Sequence, residues 1–294
     1  MAFFSLIRVF FILGRISNLP TVWTNVLVGW FLCGGNWSPE LAWIALGVSG
    51  LYLGGMTLND AFDADWDREF ALERPIPAGK ISRSAVWAIG VVEMLVGVLV
   101  LLALTTFHPL ILVGLVQAIL LYNFLHKRWK GSVLIMGLCR ALVYVGAGSA
   151  VVAQTNSIEV SPVVYFVAVA VILYIAGLTL AARSEHLKSP SGISYLNRLM
   201  LTLPVLFPLF ASRTMPPGPV QTALIILGVI GIWSWIVIMR KALSEKIPKG
   251  IAFAIAGIAF FDAATVAFAD WRAAVLCLAL FGITLVAQRF IPAT

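Results

Sequence analysis

Apolar residues in this chain come in long runs that short polar segments separate. Such runs are typical of helices that cross a bilayer, because about 20 apolar residues span its hydrocarbon core, and they lack the alternation of a half-buried strand. Ten spans are predicted, at 19–34, 41–58, 86–105, 110–125, 133–153, 163–182, 199–211, 220–239, 251–269 and 273–287. The seventh is short and contains Pro204 and Pro208, so we expect an all-α integral membrane protein with nine to ten transmembrane helices.

Composition excludes a soluble globule, since 61% of the residues are apolar and only 11% are charged. No linker or repeat interrupts the pattern, so a single domain is expected over residues 1–294. The three cysteines lie inside apolar runs without the spacing of a zinc site or a disulfide framework.

Basic residues give the chain a formal charge of +7. They concentrate in alternate connections between the predicted spans, as the positive-inside rule requires. Membrane topology therefore explains the charge, and no nucleic-acid partner is expected. The same asymmetry predicts a multi-pass protein of the cell inner membrane, in contact with the lipid bilayer, with both termini and the most polar loops in the cytoplasm.

The most acidic segment, residues 59–69, follows the second predicted span. It opens with Asn59 and contains five carboxylates, at Asp60, Asp63, Asp65, Asp67 and Glu69. We expect an acidic loop here. If the helix of the second span continued through it, Asn59, Asp63 and Asp67 would share one face. Clustered carboxylates repel, and Mg²⁺ would neutralise them while binding the phosphates of a diphosphate. The alternative is a solvated loop at the membrane boundary.

A second polar segment, Arg-Pro-Ile-Pro-Ala-Gly-Lys at residues 74–80, precedes the third span. Its prolines and glycine predict a stiff turn. Arg74 and Lys80 would then be held where they can meet phosphate oxygens.

The order Asn-Asp-x-x-Asp-x-x-x-Asp followed by Arg-Pro-x-Pro-x-Gly-Lys resembles the first signature of the UbiA superfamily of intramembrane prenyltransferases. Two shorter matches accompany it. Arg15 and Asn18, before the first span, resemble the opening segment of that family, and Tyr122 with Lys127 resembles its Tyr and Lys at the end of the fourth span. Either short match could instead be an interfacial anchor.

This resemblance implies a helical bundle around a central cavity, with a polar cap on the cytoplasmic side. It implies Mg²⁺-dependent transfer of an isoprenyl group from a prenyl diphosphate to an aromatic or otherwise lipophilic acceptor. The residues implied as catalytic are Asn59, Asp60, Asp63 and Asp67, of which the three aspartates would bind the metal. Those implied as substrate-binding are Arg15, Asn18, Arg74, Lys80, Tyr122 and Lys127.

The sequence departs from the family pattern after the sixth span, where a second aspartate-rich motif is usual. Residues 174–186 contain no aspartate, and Glu185 is the one carboxylate there. Arg183 and Lys188 would contact phosphate in place of a second metal ion, with Glu185 assisting catalysis. The run Gly-Leu-Thr-x-x-Ala-Arg-x-Glu resembles a divergent branch called EboC-like.

If this half has lost the chemistry, the alternative is a non-catalytic carrier of a lipid or precursor. A further alternative is a transferase that moves another group onto a polyprenyl phosphate as acceptor.

Three ionisable residues fall inside predicted spans, Glu93, Arg140 and Asp262. Such groups are costly in hydrocarbon and need a partner or a function. We expect Arg140 to face the cavity, where it would pair with Glu93 or bind ligand; a buried helix-to-helix pair is the alternative. No role is predicted for Asp262. His108 and His126 lie at span ends and are predicted to be interfacial residues.

Overall fold

The computed structural model describes residues 2–155, 159–184, 195–202 and 218–293. The described residues form helices and connecting turns: α1 (Ala2–Leu13), a short 3₁₀ helix (Ile16–Asn18), α2 (Pro20–Leu32), α3 (Pro39–Phe70), α4 (Arg83–Leu104), α5 (Pro109–Leu125), α6 (Ser132–Thr155), α7 (Pro162–Ser184), α8 (Tyr195–Thr202), α9 (Pro219–Glu245), α10 (Ile247–Val266) and α11 (Trp271–Ala287).

Six helices in this part of the chain are long and apolar enough to cross a membrane, α3, α4, α6, α7, α9 and α10. Two shorter apolar helices, α5 and α11, accompany them. This confirms a multi-pass, all-α membrane protein, while the count of nine to ten spans stays a prediction. The seventh predicted span lies mostly outside the described residues.

The predicted acidic loop is wrong, because α3 continues through the acidic segment for 32 residues to Phe70. At 1.5 Å per residue it is about 48 Å long, longer than the hydrocarbon core. No proline or glycine interrupts residues 59–70, whereas Pro75 follows shortly after the helix ends. The polar segment therefore continues α3 as a helix with fixed faces.

Glycines bring α3 and α4 into close contact. A Cβ added at Gly50 would lie 2.8 Å from Cα of Gly97, and one added at Gly97 would lie 2.6 Å from the carbonyl oxygen of Gly47. Gly54 meets Met94 and Gly90 in the same way. Gly50 and Gly54 therefore let α4 pack closely against α3, and this contact fixes the axial position of α3.

Helix α2 lies at the centre of the bundle. Every one of its residues is buried except Trp23, and it packs against α3, α6, α10 and α11. The polar residues of such a helix have no access to water and must find partners in neighbouring helices. Two of them, Thr21 and Asn25, become important for the candidate site.

Candidate active site

A cavity of about 490 Å³ lies among the 3₁₀ helix, α2, α3, α5, α6, α7 and α10. Its wall is polar where α3 and α5 end and apolar elsewhere, with Val48, Leu51, Ile119, Val143 and Ile255 among the apolar residues. It therefore suits a ligand that has a charged head and a hydrocarbon body.

Three residues one turn apart on α3, Asn59, Asp63 and Asp67, line this cavity together, and we call them the acidic face. Asn59 donates from Nδ2 to Oδ1 of Asn123 on α5 at 3.1 Å, so its own Oδ1 remains to face a ligand. Asn123 is fixed in turn because its Nδ2 donates to the carbonyl oxygen of Gly55 at 2.9 Å. The convergence predicted for a continuous helix is confirmed.

Asp60 lies behind the acidic face instead of in the cavity wall. Its Oδ1 accepts from Nη1 of Arg74 at 3.0 Å and lies 3.5 Å from Nη2 of Arg15. Both arginines line the cavity, whereas Asp60 is only 3% exposed. Its position supports a role in holding two cations and gives no support to a role as metal ligand.

Arg15 adopts a left-handed backbone conformation, with φ of 42° and ψ of 50°. A non-glycine residue rarely adopts this conformation, and it marks a turn that the surrounding structure enforces. Burial lowers the pKa of the Arg15 guanidinium, as does the positive charge of Arg74, whereas Asp60 raises it. The guanidinium stays charged, because its ordinary pKa is far above neutral.

Asp63 is bound from α5 by two basic groups. Nε2 of His126 lies 3.0 Å from its carboxylate, and Nζ of Lys127 lies 3.5 Å away. Nδ1 of His126 faces the carbonyl oxygen of Asn123 at 3.1 Å. Both ring nitrogens of His126 thus lie within hydrogen-bond distance of an oxygen.

Sequence reasoning missed that His126 and Asn123 line the cavity. Their position in the sequence could have indicated this, because both residues lie shortly before Lys127, a predicted site residue at the end of α5. That end and the acidic segment are on one side of the membrane if the predicted spans are correct. Tyr122 was predicted, and its ring stacks on His126 with centroids 5.2 Å apart.

The other predicted residues have different outcomes. Asn18 lines the cavity, but both ends of its amide are used by the C-terminal region, at 2.8 Å to the carbonyl oxygen of Ala293 and 3.1 Å from Nε2 of Gln288. Lys80 is exposed and is not among the described residues of the wall. Arg183 is in the last turn of α7, and Glu185 and Lys188 lie outside the described residues.

Arg140 faces the cavity, as predicted. The predicted pair with Glu93 is wrong, because Arg140 donates to side chains of α2. Glu93 is on α4, which packs against α3, and it accepts from the hydroxyl of Thr57 at 2.8 Å.

The acidic face fits Mg²⁺ in the mode that this ion uses with phosphates. Within the described residues no three His, Cys, Asp or Glu side chains form an all-protein metal cage. Mg²⁺ does not need one, since one or two carboxylates, substrate phosphates and water complete its shell. Asp67 is 3% exposed, lines the cavity and has no hydrogen bond or ion pair to another side chain in the described part of the chain. Such a carboxylate is a suitable ligand.

The fold and the cavity define a class: a multi-pass helical membrane protein with a cavity that is polar at one end and apolar elsewhere. Residues 20–189, more than half of the chain, match the UbiA prenyltransferase family. The chain belongs to that family.

Individual proteins agree with this assignment. The chain is 31% identical over 124 residues to a protoheme IX farnesyltransferase of Opitutus terrae, and this match covers 40% of each chain. It also resembles the apo structure of a UbiA homologue from Aeropyrum pernix (TM-score 0.67, 19% identity, 86% of this chain and 97% of that one). A structure described as digeranylgeranylglyceryl phosphate synthase is similar as well (TM-score 0.63, 19% identity, 90% and 98% covered). At 19% sequence identity, the similarity to these two structures shows the fold alone.

Proposed function

We propose that the protein is an integral membrane transferase that moves an isoprenyl group from a prenyl diphosphate to a lipophilic acceptor, with Mg²⁺. One observation carries the proposal: the acidic face and four basic side chains, Arg15, Arg74, Lys127 and His126, line one end of a cavity whose remaining wall is largely apolar. The family of the chain and the farnesyltransferase relative agree with it.

The polar end is suited to a diphosphate because its charges are already balanced before a ligand arrives. Arg15 and Arg74 are held by Asp60, and Lys127 by Asp63. A diphosphate would exchange these contacts for shorter ones, and the fixed cations would stabilise negative charge that grows on the leaving group. Mg²⁺ bound at Asp63 and Asp67 would supply further positive charge there.

The apolar wall would receive the hydrocarbon chain. Ile119 on α5, Val143 on α6 and Ile255 on α10 come from three different helices, so apolar side chains surround this space. They would exclude water from the allylic carbon as its bond to the diphosphate breaks, which favours attack by the acceptor over hydrolysis.

The test uses the purified full chain in lipid nanodiscs with labelled geranyl, farnesyl or geranylgeranyl diphosphate and a lipid extract of the source cells as acceptor pool. Pyrophosphate release and labelled lipid products are measured with Mg²⁺ and with EDTA. We expect Mg²⁺-dependent transfer that Asp63→Ala abolishes. Asp65→Ala is the matched control, because Asp65 is on the same segment of α3 with its side chain 69% exposed.

Each outcome separates the candidates. Labelled lipid with released pyrophosphate supports the transferase. Tight Mg²⁺-dependent binding without release in the presence of the acceptor pool would replace it with the carrier. Product in which a polyprenyl phosphate has gained another group would identify that lipid as the acceptor. Normal turnover by Asp63→Ala would discard the site.

A further inference from the structure

The side chain of Arg140 reaches the cavity at a depth where the wall is otherwise mainly apolar. It is eight residues into α6, about 12 Å from the beginning of that helix, where Lys127 is close by in sequence. Its guanidinium lies 6.0 Å from the ring of Tyr52, which is seven residues, about 10 Å, before Asn59 on α3. Arg140 therefore lies deeper than the acidic face.

Helix α2 holds the guanidinium in place. Nη1 donates to Oδ1 of Asn25 at 2.8 Å, and Nη2 donates to Oγ1 of Thr21 at 2.9 Å. A guanidinium has five N–H donors, so three remain that the described residues do not engage. Since Arg140 is only partly buried and lines the cavity, these donors are available to a ligand.

Asn25 is oriented by a fully buried carboxylate. Its Nδ2 donates to Oδ2 of Asp262 at 2.7 Å and to the hydroxyl of Tyr144 at 2.7 Å. Asp262 also accepts from Thr24 at 2.5 Å and from Tyr144 at 2.6 Å, and it is 0% exposed. A carboxylate only accepts hydrogen bonds, so Asn25 must turn its NH₂ group to Asp262 and its carbonyl oxygen to Arg140.

We propose that Asp262 is a positioning residue that acts through Asn25 to fix Arg140, and that Arg140 binds one anionic group, a carboxylate, of the acceptor. The identification of this anion as part of the acceptor rests on the proposed function, whereas the binding of a carboxylate at Arg140 does not. The proposal explains why Asn25 and Asp262 are buried polar residues in a membrane bundle, and it gives Asp262 a role without contact to the ligand.

The geometry favours a single carboxylate over a second diphosphate. Arg140 is one cation, whereas the end of the cavity beside the acidic face contains three arginine or lysine side chains and a histidine. A planar guanidinium with adjacent free N–H groups matches a carboxylate in two parallel hydrogen bonds. Asp262 balances the charge of Arg140 without occupying those donors, because it reaches Arg140 through Asn25.

The probe is para-fluorobenzoate, with para-fluorobenzamide as its neutral analogue, and binding to the full chain in nanodiscs is followed by fluorine NMR. The wild type is expected to bind the acid at least tenfold more tightly than the amide. Arg140→Gln should abolish that preference. Equal binding of the two probes by the wild type, or an unchanged preference in Arg140→Gln, would overturn the proposal.

The positioning role has its own variants. Asn25→Ser interrupts the relay but leaves Thr24 and Tyr144 on Asp262, and it should lower the affinity for the acid about tenfold. The double variant Asn25→Asp with Asp262→Asn places the carboxylate next to Arg140. It should prefer the acid over the amide as the wild type does. Thr265→Val is the control, because Thr265 is one turn from Asp262, is buried, and its hydroxyl has no hydrogen-bond partner in the described part.

An unchanged acid preference in Asn25→Ser would overturn the positioning role, and so would a double variant that folds without the acid preference. Mg²⁺-dependent binding of farnesyl diphosphate is measured in the same samples. It should be unchanged in Thr265→Val. If the wild type did not bind farnesyl diphosphate, the proposed function would be contradicted. The carboxylate site would still be tested by the comparison of the acid with the amide.

Discussion

Charged groups at the acidic face and directly behind it contact one another, at 3.5 Å between Lys127 and Asp63 and 3.0 Å between Arg74 and Asp60. Around Arg140 the arrangement differs, since Asp262 is connected to it through Asn25. Direct ion pairs at a partly exposed end can exchange partners when a ligand arrives. A buried network has one satisfied arrangement, and a change in any member leaves a polar group without a partner. The first region is suited to a multiply charged head, and the second to one group in one orientation.

The largest effect is expected from Asp67→Asn, which removes the charge and keeps the shape of the side chain. Pyrophosphate release at fixed Mg²⁺ should fall more than a hundredfold, about 2.7 kcal/mol of transition-state stabilisation. Because the deep site is separate, binding of para-fluorobenzoate should be unchanged.

Asp65→Asn serves as the control for this variant, since its exposed carboxylate pairs with Arg68 and Arg83 outside the cavity. It should stay within about twofold of wild type, as expected of surface ion pairs. Equal losses in Asp65→Asn and Asp67→Asn would mean that overall negative charge matters, and not the acidic face.

A smaller effect is expected from Arg74→Ala. Asp60 would keep Arg15 at 3.5 Å, but one of the two cations that it holds would be lost. We expect KM for the prenyl diphosphate to rise roughly tenfold, about 1.4 kcal/mol, with Mg²⁺ still required. Lys80→Ala tests the same turn at an exposed position and should change KM less than twofold. A larger effect of Lys80→Ala than of Arg74→Ala would contradict the arrangement described here.

Much of the fold and of the acidic face could be predicted from the sequence. Long apolar runs determine helices in a bilayer because the backbone must satisfy its own hydrogen bonds there. A four-residue spacing then determines which of Asn59, Asp63 and Asp67 share a face. Spacing does not give the axial position of one helix against another, which the glycine contacts between α3 and α4 determine. For this reason the role of Asp60 and the position of Lys80 were not predictable.

Contacts between segments that are far apart in the sequence were also not predictable. Asp262 is 237 residues from Asn25, and His126 is 63 residues from Asp63. Neither pair has a local spacing that could reveal it. The expected pair of Arg140 with Glu93 was reasonable on charge alone, and it failed because α4 packs mainly against α3 whereas α6 packs against α2, α5 and α7.

A moderate effect is expected from His126→Gln, which keeps one donor toward Asp63 but loses the second contact to the carbonyl oxygen of Asn123. We expect the rate of pyrophosphate release to fall about fivefold. His108→Gln is the control, because His108 is at the opposite end of α5 and accepts from the backbone N–H of Leu110. Loss of activity in His108→Gln with none in His126→Gln would mean that α5 matters through its stability alone.

The smallest effect is expected from Trp66→Leu. Nζ of Lys127 lies 3.6 Å from the centroid of the Trp66 ring, a cation–π contact that contributes about 0.5–1 kcal/mol at a partly exposed site. Without it Lys127 would be held less firmly near Asp63, and KM for the prenyl diphosphate should rise about two- to fivefold with kcat nearly unchanged. Trp129→Leu, at an exposed position, should leave KM as it is. A fall in kcat without a change in KM would show instead that Trp66 acts during the transfer step. Because Trp66 belongs to the directly paired end, neither outcome should alter the preference for para-fluorobenzoate at Arg140.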